Sequence, residues 1–153
     1  MDDKLFFPLF FDLSDKRALI VGGGKIAARR AKALLPFVGR LIVVAMEPSD
    51  ERWVLSAAGE IELLERSFAP KDLEGIFLVV CATGDEAVDE TVRRLCRERG
   101  VFVNIASDKE KCDFYFPGVA RKGSVVVGVT AGGTDHKKAR ETTERIRSLL
   151  EED

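Results

Sequence analysis

Gly22-Gly23-Gly24-Lys25-Ile26-Ala27 has the form G-x-G-x-x-A, directly after an apolar run and at the start of an amphipathic pattern. In that setting each residue type has a mechanical reason to be there. Gly22 permits a tight turn, Gly24 removes the side chain that would block a pyrophosphate, and Ala27 lets a helix approach a sheet. Unpaired N–H groups at the helix start then face the phosphates. The spacing therefore points to dinucleotide binding, the alternative being a glycine-rich turn without a ligand. Glu47 lies 23 residues beyond Gly24. A carboxylate at about that offset can accept from an adenosine ribose and favour NAD over NADP, although Glu47 also reads as a solvated loop residue. Thr83-Gly84-Asp85 follows a further apolar run and Asn104 lies within another. The carboxyl ends of strands are where such sheets bind ligands. Thr83 to Asp85 can equally cap the next helix, and the two roles are compatible.

Other reactive side chains are sparse. Cys81, Cys96 and Cys112 lie far apart without C-x-x-C spacing, so neither a disulfide framework nor a zinc site is expected. Cys112 reads as a half-buried thiol rather than a nucleophile. His136, the single histidine, could aid an anionic substrate or be a solvated residue at a helix start. No metal cluster is visible in the sequence; Asp108, Cys112, Asp113 and His136 could meet only through folding.

The elements that must position these residues alternate. Ala18–Val21, Leu41–Ala45, Ile76–Cys81 and Val101–Ile105 are apolar at every position, as strands buried on both faces of a parallel sheet are. Ile61–Leu64 predicts a shorter strand. Residues 24–36 and 86–99 carry helical periodicity, the first through Ala27, Ala31, Leu34 and Leu35, the second through Val88, Val92, Leu95 and Cys96. Gly100 is placed to end the second. This predicts an α/β, Rossmann-like parallel sheet with flanking helices over residues 1–113. Residues 114–153 then predict a short β-hairpin turning at Lys122-Gly123 and a C-terminal helix capped by Thr134 or Asp135. The apolar side of that helix is expected at Ala139, Thr142, Ile146, Leu149 and Leu150. The apolar run Leu5–Phe11, broken by Pro8, reads as a buried N-terminal strand or edge segment.

Composition excludes several classes. With 153 residues, 24 Lys and Arg against 26 Asp and Glu, and 46% hydrophobic residues, disorder is excluded and a general nucleic-acid binder is not expected. No apolar run reaches the length of a membrane span, the first residues lack the basic start of a signal peptide, and free thiols fit a cytoplasmic protein.

Phe7-Pro8-Leu9-Phe10-Phe11-Asp12-Leu13, Val21-Gly22-Gly23-Gly24 and Ala28-Arg29-Arg30-Ala31 resemble the N-terminal part of sirohaem synthase. So do Ala82-Thr83-Gly84-Asp85, Val103 to Asp108, Cys112 to Pro117, Val127 to Thr134 and Ala139-Arg140. The chain is thus similar to the precorrin-2 dehydrogenase / sirohydrochlorin ferrochelatase family along nearly its whole length. The resemblance implies oxidation of precorrin-2 to sirohydrochlorin with NAD, with iron insertion in some members, and a homodimer. Gly22, Gly23, Gly24, Lys25, Ile26, Ala27, Glu47, Thr83 and Asn104 would hold the cofactor. A family aspartate held important for both steps falls at Ser107, with Asp108 beside it, so these two are the candidate catalytic residues. Relatives often have Ser-Pro where this chain has Asp135-His136, and usually continue into a further helical region. Lys109, Lys111, Asp113, Gly132, Gly133 and His136 would border the tetrapyrrole. Residues 105–140 carry seven Lys and Arg against four Asp and Glu, a balance that suits a polycarboxylate, as it would a solvated basic face. The rival expectation is a non-catalytic NAD- or tetrapyrrole-binding module serving a partner enzyme.

Overall fold

The computed structural model describes residues 4–48 and 59–152. The chain forms two units, Asp12–Phe114 and, together, Met1–Phe11 with Tyr115–Asp153.

In the larger unit the continuous apolar runs become strands β1 (Arg17–Val21), β2 (Arg40–Val44), β3 (Ile61–Leu64), β4 (Leu78–Cys81) and β5 (Phe102–Ile105). All neighbours pair in parallel, in the order β3-β2-β1-β4-β5. Leu19, Ile20, Leu41, Val43, Val79, Val80 and Val103 are wholly buried, as strands covered on both faces require. Helix α1 (Lys25–Leu34) buries Ala27, Ala28, Ala31 and Leu34. Helix α2 (Glu86–Arg99) buries Val92, Leu95 and Cys96, and ends at Gly100 in the left-handed conformation, φ +68°. A Rossmann-like sheet with flanking helices is therefore the fold of this unit.

The smaller unit contains the hairpin β6 (Gly118–Lys122) and β7 (Val125–Val129) and helix α3 (His136–Glu151). Lys122 pairs with Val125, so the turn is Gly123-Ser124, one residue later than expected. Asp135 caps α3 by accepting from the Lys138 N–H at 2.9 Å. The buried position on α3 is Thr143, whereas Thr142 is exposed and Leu149 is 62% exposed. Ala139, Ile146 and Leu150 are partly buried as expected, so the face is the expected one with Thr143 in place of Thr142 and without Leu149. Gly118 explains this: a side chain there would begin 2.3 Å from the Thr143 hydroxyl, so only glycine lets the helix in at that point.

The N-terminal apolar run is also corrected. Residues 4–11 form no strand, and Leu5, Phe7, Leu9 and Phe10 are 97%, 84%, 68% and 74% exposed. Phe6 packs on Tyr115, ring centroids 4.5 Å apart. Apolar content sets a preference for burial but does not supply a surface within one chain.

Gly22 is the tightest point of the larger unit. Its φ is +128°, and a Cβ would lie 2.2 Å from the Ala82 carbonyl oxygen. Gly22→Ala is expected to lower the unfolding free energy by at least about 2 kcal/mol through backbone strain and overlap, measured by urea denaturation against the wild type.

Candidate functional site

The site begins where β1 stops. The Gly22 N–H donates to the Val44 carbonyl at 2.9 Å, and the Ala82 N–H donates to the Val21 carbonyl at 2.8 Å. The loops after β1, β2 and β4 are thereby tied together at the carboxyl edge of the sheet. The three glycines then differ. Gly22 is a steric necessity of the fold. A side chain on Gly23 would begin 2.9 Å from the Ala45 Cβ and 3.1 Å from the Glu47 carbonyl oxygen, so Gly23 lets the turn after β2 pack against the loop. A Cβ on Gly24 would meet nothing within 4 Å, and its φ of −84° suits any residue. Gly24 is not needed for local packing; the space beside it is what a side chain would fill.

Gly24 is the N-cap of α1, and no side chain caps that helix or places a carboxylate in its first turn. Among the described residues the other two α-helices are capped by Asp85 and Asp135. The orphan N–H groups at the start of α1 keep their affinity for an anion. Lys25 and Ile26 are exposed there, and Ala27 is wholly buried against the sheet. An open Gly24, an uncapped helix start and a buried Ala27 fit a dinucleotide pyrophosphate. Glu47 is exposed, and its backbone lies against Gly23, at the end of the neighbouring strand β2.

The loop after β4 is built by side chains on backbone. Thr83 Oγ1 accepts from the Asp85 N–H at 3.0 Å, and Asp85 Oδ1 accepts from the Ala87 and Val88 N–H groups. Thr83 is therefore part of the cap that starts α2. Its hydroxyl donates to Asp89 Oδ1 at 2.5 Å, where the Cys81 thiol also donates at 3.1 Å. Burial, chiefly, and the Asp89 carboxylate push the Cys81 thiol well up, so it stays protonated. Ser107 donates to the other carboxylate oxygen, Oδ2, at 3.4 Å.

Asn104 is buried and its carboxamide has partners at both ends. The Arg30 guanidinium donates to Oδ1, and Nδ2 donates to the Phe114 carbonyl at 2.8 Å. Arg30 comes from α1, so this link joins the glycine-loop helix to β5. Burial, with repulsion from Arg29, draws the Arg30 guanidinium below its ordinary value, while Cys112 opposes the shift.

The loop after β5 is held from inside. Asp108 Oδ1 accepts from the Glu110 N–H at 3.0 Å, capping a short 3-10 turn at Lys109–Lys111. Lys111 Nζ lies 3.1 Å from Glu90 and 4.0 Å from Asp108. The Glu90 carboxylate holds the Lys111 ammonium above its ordinary value. Cys112 accepts from the Ile105 N–H at 3.2 Å and is half-buried, which pushes its thiol up. Asp113 Oδ2 accepts from the Val103 N–H at 2.9 Å. Lys109 is exposed. In the smaller unit, Gly132 and Gly133 take φ of +71° and +72° in the turn before α3, and His136 is exposed at its first residue. Among the described residues no three His, Cys, Asp or Glu side chains are grouped to hold a metal ion.

Two site residues escape a reading of the sequence. Arg30 looks like one of several cations on α1. Asp89 looks like one of several acids on α2, but its spacing to Val92 and Cys96, i+3 and i+7, places it on the apolar stripe, and it is 4% exposed. A carboxylate in register with a buried stripe is the signal.

The family described as "Putative NAD(P)-binding" matches residues 9–118. The siroheme synthase of Zymomonas mobilis is 34% identical over 146 residues, 95% of this chain and 31% of that protein. The siroheme synthase of Chromobacterium violaceum is 37% identical over 145 residues, 95% of this chain and 31% of that protein. The chain thus spans about a third of the length of the curated relatives it matches. Among solved structures, SirC, a precorrin-2 dehydrogenase, superposes with a TM-score of 0.76 at 25% identity, covering 95% of this chain and 74% of that one.

Gly24→Asp separates the fold from the ligand. Aspartate is a preferred N-cap, and the space at Gly24 is open, so the unfolding midpoint is expected to hold. A carboxylate about 4 Å from a phosphate costs about 4 kcal/mol near a protein surface. Calorimetric NAD affinity is therefore expected to fall by about 100-fold or more.

Proposed function

Because this chain belongs to the NAD(P)-binding family whose match spans residues 9–118, we propose that it is an NAD-dependent precorrin-2 dehydrogenase producing sirohydrochlorin in sirohaem biosynthesis. The observation that carries the reading is the cradle at Gly24, an open Cβ position before an uncapped helix, in a chain that superposes on SirC over 95% of its length.

NAD⁺, when bound, supplies the hydride acceptor. The residues of this chain bind, orient and take up the proton. Gly22, Gly23 and Gly24 with the N–H groups of Lys25, Ile26 and Ala27 would receive the pyrophosphate. Glu47 would accept from the ribose and repel the 2′-phosphate of NADP. Asn104 and Thr83 would act by holding the edge of β4 and β5 in place, since their polar atoms already have protein partners. The loop after β5 would receive the proton through Ser107 or Asp108. Lys109, Lys111 and Asp113 in the larger unit, and Gly132, Gly133 and His136 in the smaller one, are the proposed contacts of the polycarboxylate tetrapyrrole.

The exposed side chains of Leu5, Phe7, Leu9 and Phe10 support a homodimer in which a second copy covers the N-terminal segment. No helix among the described residues is long and apolar enough to cross a membrane, and we place the protein in the cytoplasm. Iron insertion into sirohydrochlorin would be weak, since it asks the protein to take pyrrole protons and deliver Fe²⁺.

One preparation tests the reading with two assays. NADH is expected to form from precorrin-2, and iron insertion into sirohydrochlorin is expected to stay near the uncatalysed rate. Absence of NADH formation would favour a binding module serving another enzyme. Glu47→Ala is expected to narrow the NAD over NADP preference by about 1–2 kcal/mol, the size of one charge-assisted hydrogen bond, read from the two calorimetric affinities.

A further inference from the structure

Asp89 is a carboxylate 4% exposed at the head of α2. Its Oδ1 accepts from the Thr83 hydroxyl at 2.5 Å and the Cys81 thiol at 3.1 Å. Its Oδ2 accepts from Ser107 at 3.4 Å. Every donor is neutral, and among the described residues no Lys, Arg or His forms an ion pair with it. The three donors come from the end of β4, the loop after β4 and the loop after β5, all at the carboxyl edge of the sheet.

The two hydroxyls are not equivalent. Thr83 also accepts from the Asp85 N–H and so is used within the cap. Ser107 is exposed and faces Oδ2, which takes the single donor named above. An ionised carboxylate can only accept, so Ser107 donates its proton to Oδ2 and keeps its own lone pairs free to accept.

We propose that Asp89 is the positioning residue and proton sink behind Ser107, making that pair the proton-accepting couple of the dehydrogenation. The inference rests on the dehydrogenase reading. As a hydride leaves the substrate for NAD⁺, a proton leaves the substrate for Ser107 Oγ and the original Ser107 proton passes to Asp89 Oδ2. The products are the oxidised tetrapyrrole, NADH and a protonated Asp89, which returns its proton to solvent through the exposed serine. The 3.4 Å separation is of the kind that tightens when substrate closes a site. Asp108, by contrast, uses Oδ1 to cap the turn that follows it and has Lys111 beside Oδ2.

The test compares Asp89→Asn, Ser107→Ala, Ser107→Thr, Asp108→Ala and the Asp89→Asn/Ser107→Ala double variant. Asparagine keeps the shape and can still accept from Thr83. Asp89→Asn is expected to lower kcat by about 100-fold, the scale of a general base, with KM, calorimetric NAD affinity and urea midpoint near wild type. Ser107→Ala is expected to fall equally, Ser107→Thr to restore most of the rate, and the double variant to be no slower than Ser107→Ala. Without cofactor or substrate, the Asp89 carboxyl carbon resonance in labelled protein is expected to move in Ser107→Ala. Wild-type rates in Asp89→Asn, or additive losses in the double variant, would overturn the proposal. A loss confined to Asp108→Ala would overturn it too, by assigning the base to that carboxylate. Failure of the wild type to form NADH removes the dehydrogenase reading itself, while an unmoved resonance removes the Asp89–Ser107 couple whatever the reaction.

Discussion

The close approach of Gly22 to the Ala82 carbonyl organises the carboxyl edge of the sheet. Strands β1 and β4 are neighbours, and the chain leaves them in opposite directions, from β1 toward β2 and from β4 toward β5. A crevice opens at such a switch point. Its width depends on how near the two loops come, and here a Cβ at Gly22 would overlap the Ala82 carbonyl. With Gly22 holding that distance, Gly24 is free of packing duty. Two glycines two residues apart thus stand in opposite surroundings, one where space is missing and one where it is open.

A second link fixes the cofactor helix to the far side of the crevice. Asn104 stands in a strand that is otherwise apolar, and its burial would be costly without partners. The carboxamide can accept from Arg30 and donate to the Phe114 carbonyl at once. Aspartate would have no donor for Phe114, and leucine would remove an acceptor from a half-buried guanidinium. The asparagine is thus explained by two elements that both need it, α1 and the segment entering residue 114. A shift of α1 is resisted at β5 as well as at β1.

Much of this was legible in the sequence. Four of the five strands were readable because β1, β2, β4 and β5 are apolar at almost every position, a pattern that burial on both faces of a sheet produces. Asp85 and Gly100 announced the ends of α2 by chemistry local to each. The misreadings share a cause. The run Leu5–Phe11 has the composition of a core strand, but composition does not name a partner, and these side chains stand exposed. On α3 Thr143 was missed because it is buried by virtue of Gly118, a residue 25 positions earlier. Asp89 was passed over because acids on a helix are ordinarily solvated. The roles of Thr83 and Asn104 could not be separated from ligand contact until their hydrogen bonds were seen.

The burial of Asp89 without a cation has its own physical account, and that account reaches back to the glycine loop. Asp89 stands in the first turn of α2, after Asp85 at the cap and Glu86 beside it, at the end of the helix that carries partial positive charge. Three neutral donors supply the remaining hydrogen bonds. A carboxylate is thereby kept out of water at the start of one helix by the same field that, at the start of α1, meets no carboxylate at all. The two helices open from neighbouring strands of one sheet. One N-terminus is satisfied by the chain's own acids, which draw the loops after β4 and β5 together. The other, left open at Gly24 and without an acid of its own, suits an anion such as the phosphates of a ligand. Exchanging the two arrangements would cost both: an acid at Gly24 would repel the pyrophosphate, and an apolar residue at 89 would release the hydroxyls that shape the opposite wall.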